Sequence, residues 1–308
     1  MDGVVNIHKP LGITSFGVVH SVKKILRVKK AGHIGTLDPM AEGVLPICLN
    51  QSTKIIQFLT RLPKVYTACM ALGVVTDTQD ATGKILAVNS ADGIGEEQIR
   101  DAIQSFVGDQ TQIPPMYSAK KKDGIPLYKL ARNGITIDRK PVPIKIYSIE
   151  FIGKNGTHVT FKAHCSAGTY IRTLCHDIGI QLGCGAHMLN LVRNQVGDFA
   201  LESSVSLEDL NTAKTEENLA GKIYPVEAVL GFIPEIRVKT EFYKSIINGV
   251  PLPKSAIEAT PEKFQAGTAL RVCNNNQLIA IVEPLVDQSA FALMSPDDIA
   301  FKLKRVLT

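Results

Sequence analysis

The loop formed by residues 32–39 constrains this chain more than any other stretch of its sequence. Its two glycines, Gly32 and Gly35, permit backbone conformations that other residues resist, and they leave room for a ligand to approach. Asp38 precedes Pro39, whose ring restricts the backbone of Asp38 to extended conformations. The pattern predicts a carboxylate held still in a braced loop, as acid–base or covalent catalysis requires, although an isolated Asp-Pro more often only begins a turn.

Apolar periodicity on both sides of this loop predicts helices and strands in mixed order. Strands are predicted over residues 4–7, 44–49, 64–75 with 84–88 as its hairpin partner, 157–165 and 186–196, and helices from Ser15, from Ser52, over 96–106, near 127–132 and from Gly168. Ser15 is the expected cap of the first helix, because a serine oxygen accepts hydrogen bonds from free backbone N–H groups. Long antiparallel strands mixed with helices favour an α+β fold over a regular βαβ series.

The length of 308 residues favours one large domain followed by a small one, because single hydrophobic cores seldom grow to this size. A polar and acidic connection is predicted over residues 201–221, and the chain changes character near residue 231. The predicted division is therefore a mixed domain over 1–230 and a small, mostly β module over 231–308.

The cysteines and the hydropathy pattern indicate a cytosolic protein. The chain has six cysteines with no C-x-x-C pair, and most lie in apolar stretches: Cys48, Cys69, Cys165, Cys175, Cys184 and Cys273. Reduced thiols in the core fit this pattern better than disulfides or a zinc site. No apolar run is long enough to span a membrane, and the N-terminus enters a predicted strand rather than a leader segment.

Positive charge is concentrated in one segment. The net charge of the chain is +5, yet residues 117–145 alone hold eight basic residues and only two acidic ones. The segment is also rich in Pro and Gly, so it reads as a loop with one short helix. Concentrated positive charge suggests a polyanionic partner, although a solvated surface explains it equally well on composition alone.

A longer motif around Asp38 resembles a known family. Residues 32–46 read Gly-His-x-Gly-Thr-Leu-Asp-Pro-x-Ala-x-Gly-Val-Leu-Pro, which is similar to the catalytic motif of the TruB-type tRNA pseudouridine synthases. Three further stretches agree with that family in the order it requires: residues 6–15, residues 64–66, and residues 165–174 followed by 185–193. The resemblance covers roughly residues 3–200, and the C-terminal module more loosely. Small departures occur at Ile34, Glu42 and Asn50, where the family commonly has Thr, Thr and Gly.

The resemblance implies a fold, a reaction and a partner. The fold would be the pseudouridine synthase α+β fold, with a basic insertion at about 117–145 and a PUA-like RNA-binding domain after residue 230. The enzyme would flip the uridine at position 55 out of the T loop of a tRNA and isomerise it to pseudouridine, with no metal or organic cofactor. The T arm of the tRNA would be bound, with the acceptor stem reaching the C-terminal domain, and the enzyme would be a monomer.

The resemblance also implies roles for individual residues. Asp38 would be the catalytic carboxylate, which either attacks the sugar or abstracts the C2′ proton, and both mechanisms stay open. Tyr66 would stack on the flipped base and remove its C5 proton, and Arg172 would pair with Asp38. The residues implied in substrate binding are Tyr170, Leu191, Lys120, Lys121, Lys122 and Arg132. His33 is expected to bind the entering nucleotide because it is close to Asp38 in sequence, and Lys9, Pro10 and Gly35 are expected to support the site.

The position of Arg172 supports its pairing with Asp38 independently of the family. Arg172 falls in the first turn of a predicted helix, where the helix macrodipole disfavours a cation. A cation in this position suggests a specific anion nearby, and a salt bridge would keep Asp38 ionised.

Three other interpretations stay open. A non-enzymatic RNA-binding protein could use the same scaffold, but binding alone needs no ionised acid beside a polyanion. The related guide-RNA-dependent synthases resemble this core but work inside a multi-protein particle, and the insertion at 117–145 favours the stand-alone type. An unrelated hydrolase with an aspartate nucleophile rests on Asp38 alone.

Overall fold

The computed structural model describes residues 1–118, 120–213, 219 and 221–307 of the chain. Part of the connection predicted over 201–221 and one residue of the predicted insertion, residue 119, therefore lie outside the described residues. Within the described part, no helix has the length and apolar character needed to cross a membrane.

Strands dominate the described residues. In chain order they are β1 (Gly3–Lys9), β2 (Ala31–His33), β3 (Ala41–Leu49), β4 (Lys64–Leu72), β5 (Val74–Thr76), β6 (Ile85–Val88), β7 (Gly108–Gln112), β8 (Lys121–Lys122), β9 (Ile125–Pro126), β10 (Val142–Asn155), β11 (His158–Cys165), β12 (Ala186–Val196), β13 (Phe199–Ala200), β14 (Ile223–Tyr224), β15 (Glu235–Val238), β16 (Leu252–Pro253), β17 (Ile257–Ala259), β18 (Leu270–Asn274), β19 (Gln277–Pro284) and β20 (Ile299–Val306). The described α-helices are α1 (Ser15–Leu26), α2 (Ile56–Leu59), α3 (Glu96–Gln104), α4 (Leu127–Arg132), α5 (Ile171–Gln181), α6 (Leu207–Thr212), α7 (Val226–Val229), α8 (Tyr243–Ile247) and α9 (Gln288–Leu293).

A ten-stranded sheet forms the larger part of the molecule. Its order is β14-β1-β3-β12-β4-β11-β10-β7, with β13 beside β12 and β2 beside β3. The neighbours are antiparallel except β3 and β12, which run parallel. The β3–β12 pair lies at the centre of the sheet, so the loop before β3 opens beside the strands that carry Tyr66 and Leu191.

The centre of the sheet is buried on both faces. Alternate residues of β1 belong to different clusters: Val5 and Ile7 pack in the cluster that includes α1 and α5, whereas Val4 packs in the cluster that includes Ile55 and Leu59. Side chains of a strand alternate between faces, so the two clusters lie on opposite sides of the sheet. This burial fixes the register of the strands that carry the site, because a slip by one residue would exchange the two faces.

The C-terminal residues form a second, six-stranded sheet in the order β16-β20-β19-β18-β15-β17. Its own core includes Phe264, Phe291 and Phe301, whose ring centroids lie 5.5–5.8 Å apart. The predicted α+β class with a mostly β C-terminal part is confirmed.

The two sheets share one hydrophobic cluster. Cys273, Leu278 and Ile281 of the C-terminal sheet pack in the cluster that contains Val4 and Val44 of the large sheet. Leu230 is fully buried in the same cluster, at the boundary predicted between the domains. The C-terminal sheet is therefore joined to the large sheet by apolar packing as well as by the chain.

Three local predictions were wrong. Thr14, not Ser15, caps α1: its hydroxyl accepts a 2.9 Å hydrogen bond from the Gly17 amide. The long strand predicted over 64–75 ends at Leu72, because Gly73 adopts a φ of +88°, and only β5 beyond it pairs with β6. The helix predicted from Ser52 is a 3-10 turn, Asn50–Ile55, followed by the single turn of α2; the hydroxyl of Ser52 instead accepts a 2.6 Å hydrogen bond from the Gly3 amide.

Candidate active site

The loop that carries Asp38 lies between β2 and β3. Hydrogen bonds join the residues on either side of Asp38 to the start of α1 and the turn before it. The Ser15 hydroxyl donates to the Leu37 carbonyl and accepts from the Leu37 amide, both at 2.8 Å. The Gly12 amide donates to the Pro39 carbonyl at 2.8 Å. These bonds hold the backbone on each side of Asp38, and they explain why Ser15 is buried rather than a helix cap.

Two fully buried cations fix the loop from beneath. Arg193, 1% exposed, donates to the carbonyls of Val44 at 2.7 Å, Thr36 at 3.1 Å and Gly35 at 3.0 Å. The Lys9 ammonium donates to the carbonyls of Ala41 at 2.6 Å and Pro10 at 2.9 Å. Because these donors satisfy buried carbonyl groups, the loop keeps one conformation before any substrate binds.

The glycine whose backbone conformation excludes other residues is Gly43, which lies in β3 just after the loop. Neither Gly32 nor Gly35 has a positive φ, whereas Gly43 has a φ of +107°. A Cβ atom at Gly43 would also collide with the backbone of Arg193 on the parallel strand β12. Gly35 contributes its carbonyl to Arg193, and a Cβ atom there would make only ordinary contacts.

Arg172 lies between two carboxylates. Its guanidinium is 2.6 Å from Oδ2 of Asp38 and 3.4 Å from Oδ2 of Asp80. Arg172 and Asp80 are buried, while about a third of the Asp38 side chain, 32%, is exposed. Asp38 is thus the member of this triplet whose carboxyl group faces open space.

Asp80 is anchored more firmly than Asp38. Its Oδ1 accepts hydrogen bonds from the Thr78 hydroxyl at 2.7 Å, the Thr82 hydroxyl at 2.6 Å and the Thr82 amide at 3.0 Å. The Ala81 amide donates to the Met188 carbonyl at 2.9 Å, which attaches this loop to β12. Asp80 therefore presents its other oxygen, Oδ2, to Arg172 from a rigid turn.

The electrostatic environment of Asp38 contains opposing influences. Burial raises the pKa of Asp38 above its ordinary value and Asp80 adds to this, while Arg172, Lys9 and Arg193 oppose the shift. For the cation Lys9 burial acts in the opposite direction and lowers the pKa to about 8. The cations nearest Asp38 therefore favour its ionised form against the cost of burial.

Tyr66 lies on β4 beside this network and is buried. Burial raises the pKa of Tyr66 above its ordinary value, and a hydrogen bond to Arg193 opposes the rise. The phenol is therefore neutral near pH 7. Its strand neighbour on one side is Arg193, so the same guanidinium contacts both the loop and the tyrosine.

The remaining predicted contact residues lie around this centre. Leu191 is buried on β12, opposite Ala41 on one side and Ala68 on the other. Tyr170 is half-buried at the start of α5, and its backbone is clamped by Gln112, which accepts from the Tyr170 amide at 2.8 Å and donates to its carbonyl at 3.0 Å.

His33 and Pro10 occupy different environments. Burial and the nearby Arg193 lower the pKa of His33, so its imidazole is neutral near pH 7. Its Nδ1 atom is buried and has no hydrogen-bond partner among the described residues. Pro10 is exposed, and its contribution is a carbonyl that accepts from Lys9.

The basic residues predicted to bind substrate lie on the surface, apart from this centre. Lys120, Lys121 and Lys122 are exposed, the last two on β8, which forms a small hairpin with β9. Arg132 ends α4 and lies over the Tyr128 ring at 5.5 Å from its centroid. Among the described residues, no ion pair joins any of these four side chains to Asp38.

Sequence reasoning missed three residues of the site: Asp80, Arg193 and Gln112. Asp80 lies in the polar stretch 76–84, which resembles an ordinary turn. Arg193 stands in residues 185–193, which resemble the family, but the resemblance implies no role for it. The available signal was an arginine directly after the apolar pair Leu191–Val192 in a predicted strand, because a charge in a buried strand needs buried partners. Among the described residues, no cluster of three or more His, Cys, Asp or Glu could hold a metal ion.

Two family models match the chain in adjoining stretches. The model described as TruB family pseudouridylate synthase (N terminal domain) matches residues 23–171. The model described as tRNA pseudouridylate synthase B C-terminal domain matches residues 172–231. The first match includes Asp38, Tyr66 and Asp80, and the second begins at Arg172.

Curated relatives match over most of their length. The tRNA pseudouridine synthase B of Clostridium tetani is 47% identical, covering 91% of this chain and 95% of its own. The protein of the same name from Clostridium acetobutylicum is 49% identical over 85% of this chain and 89% of its own. The one from Geobacter sulfurreducens is 39% identical over 99% of both chains.

Solved structures match across both sheets. A chain in the crystal structure of a Cbf5-Nop10-Gar1 complex superposes with a TM-score of 0.80 at 30% identity, covering 99% of this chain and 85% of that chain. A chain in the structure of an H/ACA RNP bound to a substrate RNA containing 2′-deoxyuridine superposes with a TM-score of 0.77 at 28% identity, with the same coverage. The 99% coverage includes the C-terminal strands, so the likeness is to the whole architecture.

Proposed function

This chain belongs to the TruB family of pseudouridylate synthases, and we propose that it isomerises the uridine at position 55 in the T loop of tRNA with Asp38 as the catalytic carboxylate. The observation that carries this proposal is the ion pair of 2.6 Å between Arg172 and Asp38, on a loop held by Ser15, Lys9 and Arg193. Such a preorganised, partly exposed carboxylate suits chemistry on a bound nucleotide.

Arg172 and Asp80 support this role by orienting Asp38. A planar guanidinium that is fixed on one side by Asp80 can hold the Asp38 carboxylate in one orientation on the other side. The charge of Arg172 also favours ionised Asp38, the form needed either to attack the sugar or to abstract the C2′ proton. Both mechanisms use the same carboxylate in the same place, so the proposal covers either.

The isomerisation breaks the bond between C1′ of the ribose and N1 of uracil and joins C1′ to C5. The proton on C5 must leave, and N1 gains a proton. Tyr66 lies close enough to Asp38 to interact with it electrostatically, and Leu191 pairs with Ala41, three residues after Asp38, so we assign both contact with the flipped base. The raised pKa of Tyr66 keeps its phenol neutral, which suits stacking on the base; removal of the C5 proton by Tyr66 requires that the phenol first lose its own proton to another group.

The nucleotide around the base needs polar partners as well. The buried Nδ1 atom of His33 has no hydrogen-bond partner among the described residues, and it lies on the strand leading to Asp38. We assign His33 a contact to the entering nucleotide, because an unpaired buried polar group is costly until a ligand satisfies it. We also assign Tyr170 a contact to the nucleotide, because its backbone is clamped by Gln112 two residues before Arg172.

The RNA partner is supported by charge. A uridine stacked in an RNA loop must be extruded to reach Asp38, at a cost of a few kcal/mol on the usual order for base flipping. Phosphate contacts from the exposed lysines of the insertion can offset that cost. We assign the T arm to the insertion and the acceptor stem to the C-terminal sheet. We also propose that the protein acts in the cytoplasm, on tRNA, and as a monomer, because Asp38, Tyr66 and Arg172 all come from one chain.

The guide-RNA-dependent alternative receives less support. The solved structures that match include complexes named Cbf5-Nop10-Gar1 and H/ACA RNP, but at 28–30% identity. The relatives named tRNA pseudouridine synthase B reach 47–49% identity.

The test is to incubate an unmodified tRNA transcript with the purified protein alone and to map pseudouridine at single-nucleotide resolution. We expect one modified site, at position 55, without any guide RNA or partner protein. Modification at a different uridine would refute the assigned position, and modification only in the presence of a guide RNA would favour the alternative class.

A further inference from the structure

The exposed side of α1 carries a row of residues suited to RNA. Phe16, His20 and Lys24 recur every four residues, so they share one face of the helix, and all three are exposed. Phe16 is 76% exposed, compared with 50% for Phe232 and 45% for Tyr147, the other exposed phenylalanine and tyrosine residues in the described part of the chain. Three more exposed cations follow the helix: Arg27, Lys29 and Lys30. We call these six residues the α1 face.

The charge of this region is one-sided. Residues 3–37 contain six lysines and arginines and no aspartate or glutamate. In the described part of the chain, no ion pair involves any cation of the α1 face. The neighbouring helix α6 carries Glu208 and Asp209, but the Asp209 carboxylate accepts a 2.7 Å hydrogen bond from Ser206 at its own helix cap.

The helix macrodipole explains only part of this charge. Cations in the last turn of a helix are stabilised by the dipole, and this accounts for Lys24. It does not account for Arg27, which occupies the left-handed C-cap with a φ of 52°, a conformation that costs a side chain such as arginine roughly 1 kcal/mol. Lys29 and Lys30 lie beyond the helix altogether.

The turn that carries the two lysines is held rigidly. The side-chain oxygen of Asn50 accepts hydrogen bonds from the Lys29 amide at 3.0 Å and the Lys30 amide at 3.1 Å. The backbone amide of Asn50 in turn donates to the Lys30 carbonyl at 2.8 Å. Asn50 is one of the small departures from the family pattern, and a glycine there could not make the two side-chain contacts. The charges of Lys29 and Lys30 therefore project from a fixed backbone.

The α1 face begins beside the candidate active site. The first turn of α1 is bonded to Leu37, the residue before Asp38, through Ser15. The helix has 12 residues and is therefore about 18 Å long. After the far end of the helix, β2 leads the chain back to the loop that carries Asp38. The face is thus a rigid path from the reacting nucleotide to a cluster of cations about 18 Å away.

We propose that the α1 face binds the ribose–phosphate backbone of the RNA substrate, as a second contact surface besides the insertion at 117–145. This inference rests on the proposed function, because the occupant is the RNA whose uridine reaches Asp38. Arg27, Lys24 and Lys30 contact phosphates, and Phe16, nearest the site, stacks on an unpaired base of the loop.

The test compares two variants that each remove three exposed cations. The first carries Lys24→Gln, Arg27→Asn and Lys30→Gln; asparagine is chosen at residue 27 because it tolerates the left-handed conformation. The control carries Lys162→Gln, Lys244→Gln and Lys263→Gln, at exposed lysines on β11, on α8 and after β17. Affinity for an isolated T-arm stem-loop is measured by filter binding over a series of salt concentrations, because Lys244 and Lys263 of the control lie in the C-terminal part, which is assigned to the acceptor stem.

We expect the first variant to bind about tenfold to a hundredfold more weakly at about 0.1 M salt, with the log–log salt slope flatter by about two units. The control should match the wild type. Equal losses in both variants would show a general effect of net charge, and an unchanged slope in the first variant would show a merely solvated face; either result overturns the inference.

A Phe16→Leu variant tests the other end of the face. It should weaken binding while leaving the salt slope unchanged, because stacking releases no counterions. Binding equal to the wild type would remove Phe16 from the surface. Failure of the proposed function is distinguishable from both, since it would appear as a wild-type protein that forms no pseudouridine at all.

Discussion

Replacing Arg172 with lysine should cost far more activity than the conserved charge suggests. The guanidinium reaches Asp38 at 2.6 Å and Asp80 at 3.4 Å with two different nitrogens. A lysine ammonium is a single point charge on a flexible chain, and it cannot occupy both positions. Asp38 would then keep a neighbouring cation but lose its fixed orientation.

The magnitude follows from the contact that is lost. A hydrogen bond to a charged group contributes about 1.5–3 kcal/mol, and Arg172 is buried, so water does not replace the contact. If that contact orients Asp38 in the transition state, kcat should fall about tenfold to 150-fold. Binding of tRNA should change little, because the exposed cations of the surface are untouched.

The Arg172→Met variant separates charge from orientation through pH. Under the proposed mechanism activity needs ionised Asp38, so it should fall as the pH drops through the pKa of that group in the folded enzyme. Burial raises this pKa and Arg172 lowers it, so removal of the guanidinium should raise it further. The acidic limb of the kcat profile should therefore move to higher pH in Arg172→Met, and much less in Arg172→Lys.

The assay is steady-state pseudouridine formation at saturating tRNA, which gives kcat, measured from pH 5 to pH 9 in steps of about half a unit. A lysine variant with the kcat of the wild type would refute the orienting role of Arg172. An acidic limb that stays in place in Arg172→Met would refute the electrostatic coupling to Asp38.

Three further predictions concern other parts of the molecule. Neutralising Lys120, Lys121 and Lys122 together should flatten the salt dependence of tRNA binding by somewhat under one unit of log–log slope per lost contact, and an unchanged slope would mean that these residues are only solvated. Arg193→Lys should lower the free energy of unfolding by about 2–4 kcal/mol, because buried carbonyls of the loop lose hydrogen-bond donors. Urea unfolding measures this change, and Arg61→Lys, at an exposed residue, is the control whose stability should not change. Truncation after Leu230 should lower the melting temperature, because Val4, Val44 and Leu59 lose apolar partners. The remaining protein should still modify a T-arm stem-loop at saturation but bind whole tRNA more weakly. A folded but inactive fragment would contradict the assignment of catalysis to residues 1–230.

The sequence allowed the fold class and most strands and helices to be predicted, because apolar periodicity reports directly on burial. Its errors occurred where a side chain chooses between local and distant partners. Serine is a common helix cap, but the Ser15 hydroxyl is hydrogen-bonded to Leu37, 22 residues away, and Thr14 caps the helix instead. Such a choice depends on tertiary packing that no local pattern contains.

The candidate site was predictable where one motif carried it and not where distant strands assembled it. Asp38, Tyr66 and Arg172 stand in stretches that resemble a family. Asp80 stands in a stretch that reads as a turn, and it reaches Arg172 only because its loop bridges to Met188 on β12. Arg193 acquires its partners from the parallel pairing of β12 with β3, which sequence spacing does not predict.

The central claim, that Asp38 performs the chemistry, is tested most directly by an Asp38→Asn variant on unmodified tRNA. Asparagine keeps the size of the side chain and removes only its charge, so the variant should bind tRNA with nearly the affinity of the wild type. Pseudouridine at position 55 should then be absent after prolonged incubation, measured beside the wild type on the same transcript. Turnover at a sizeable fraction of the wild-type rate would contradict the assignment of Asp38 as the catalytic carboxylate.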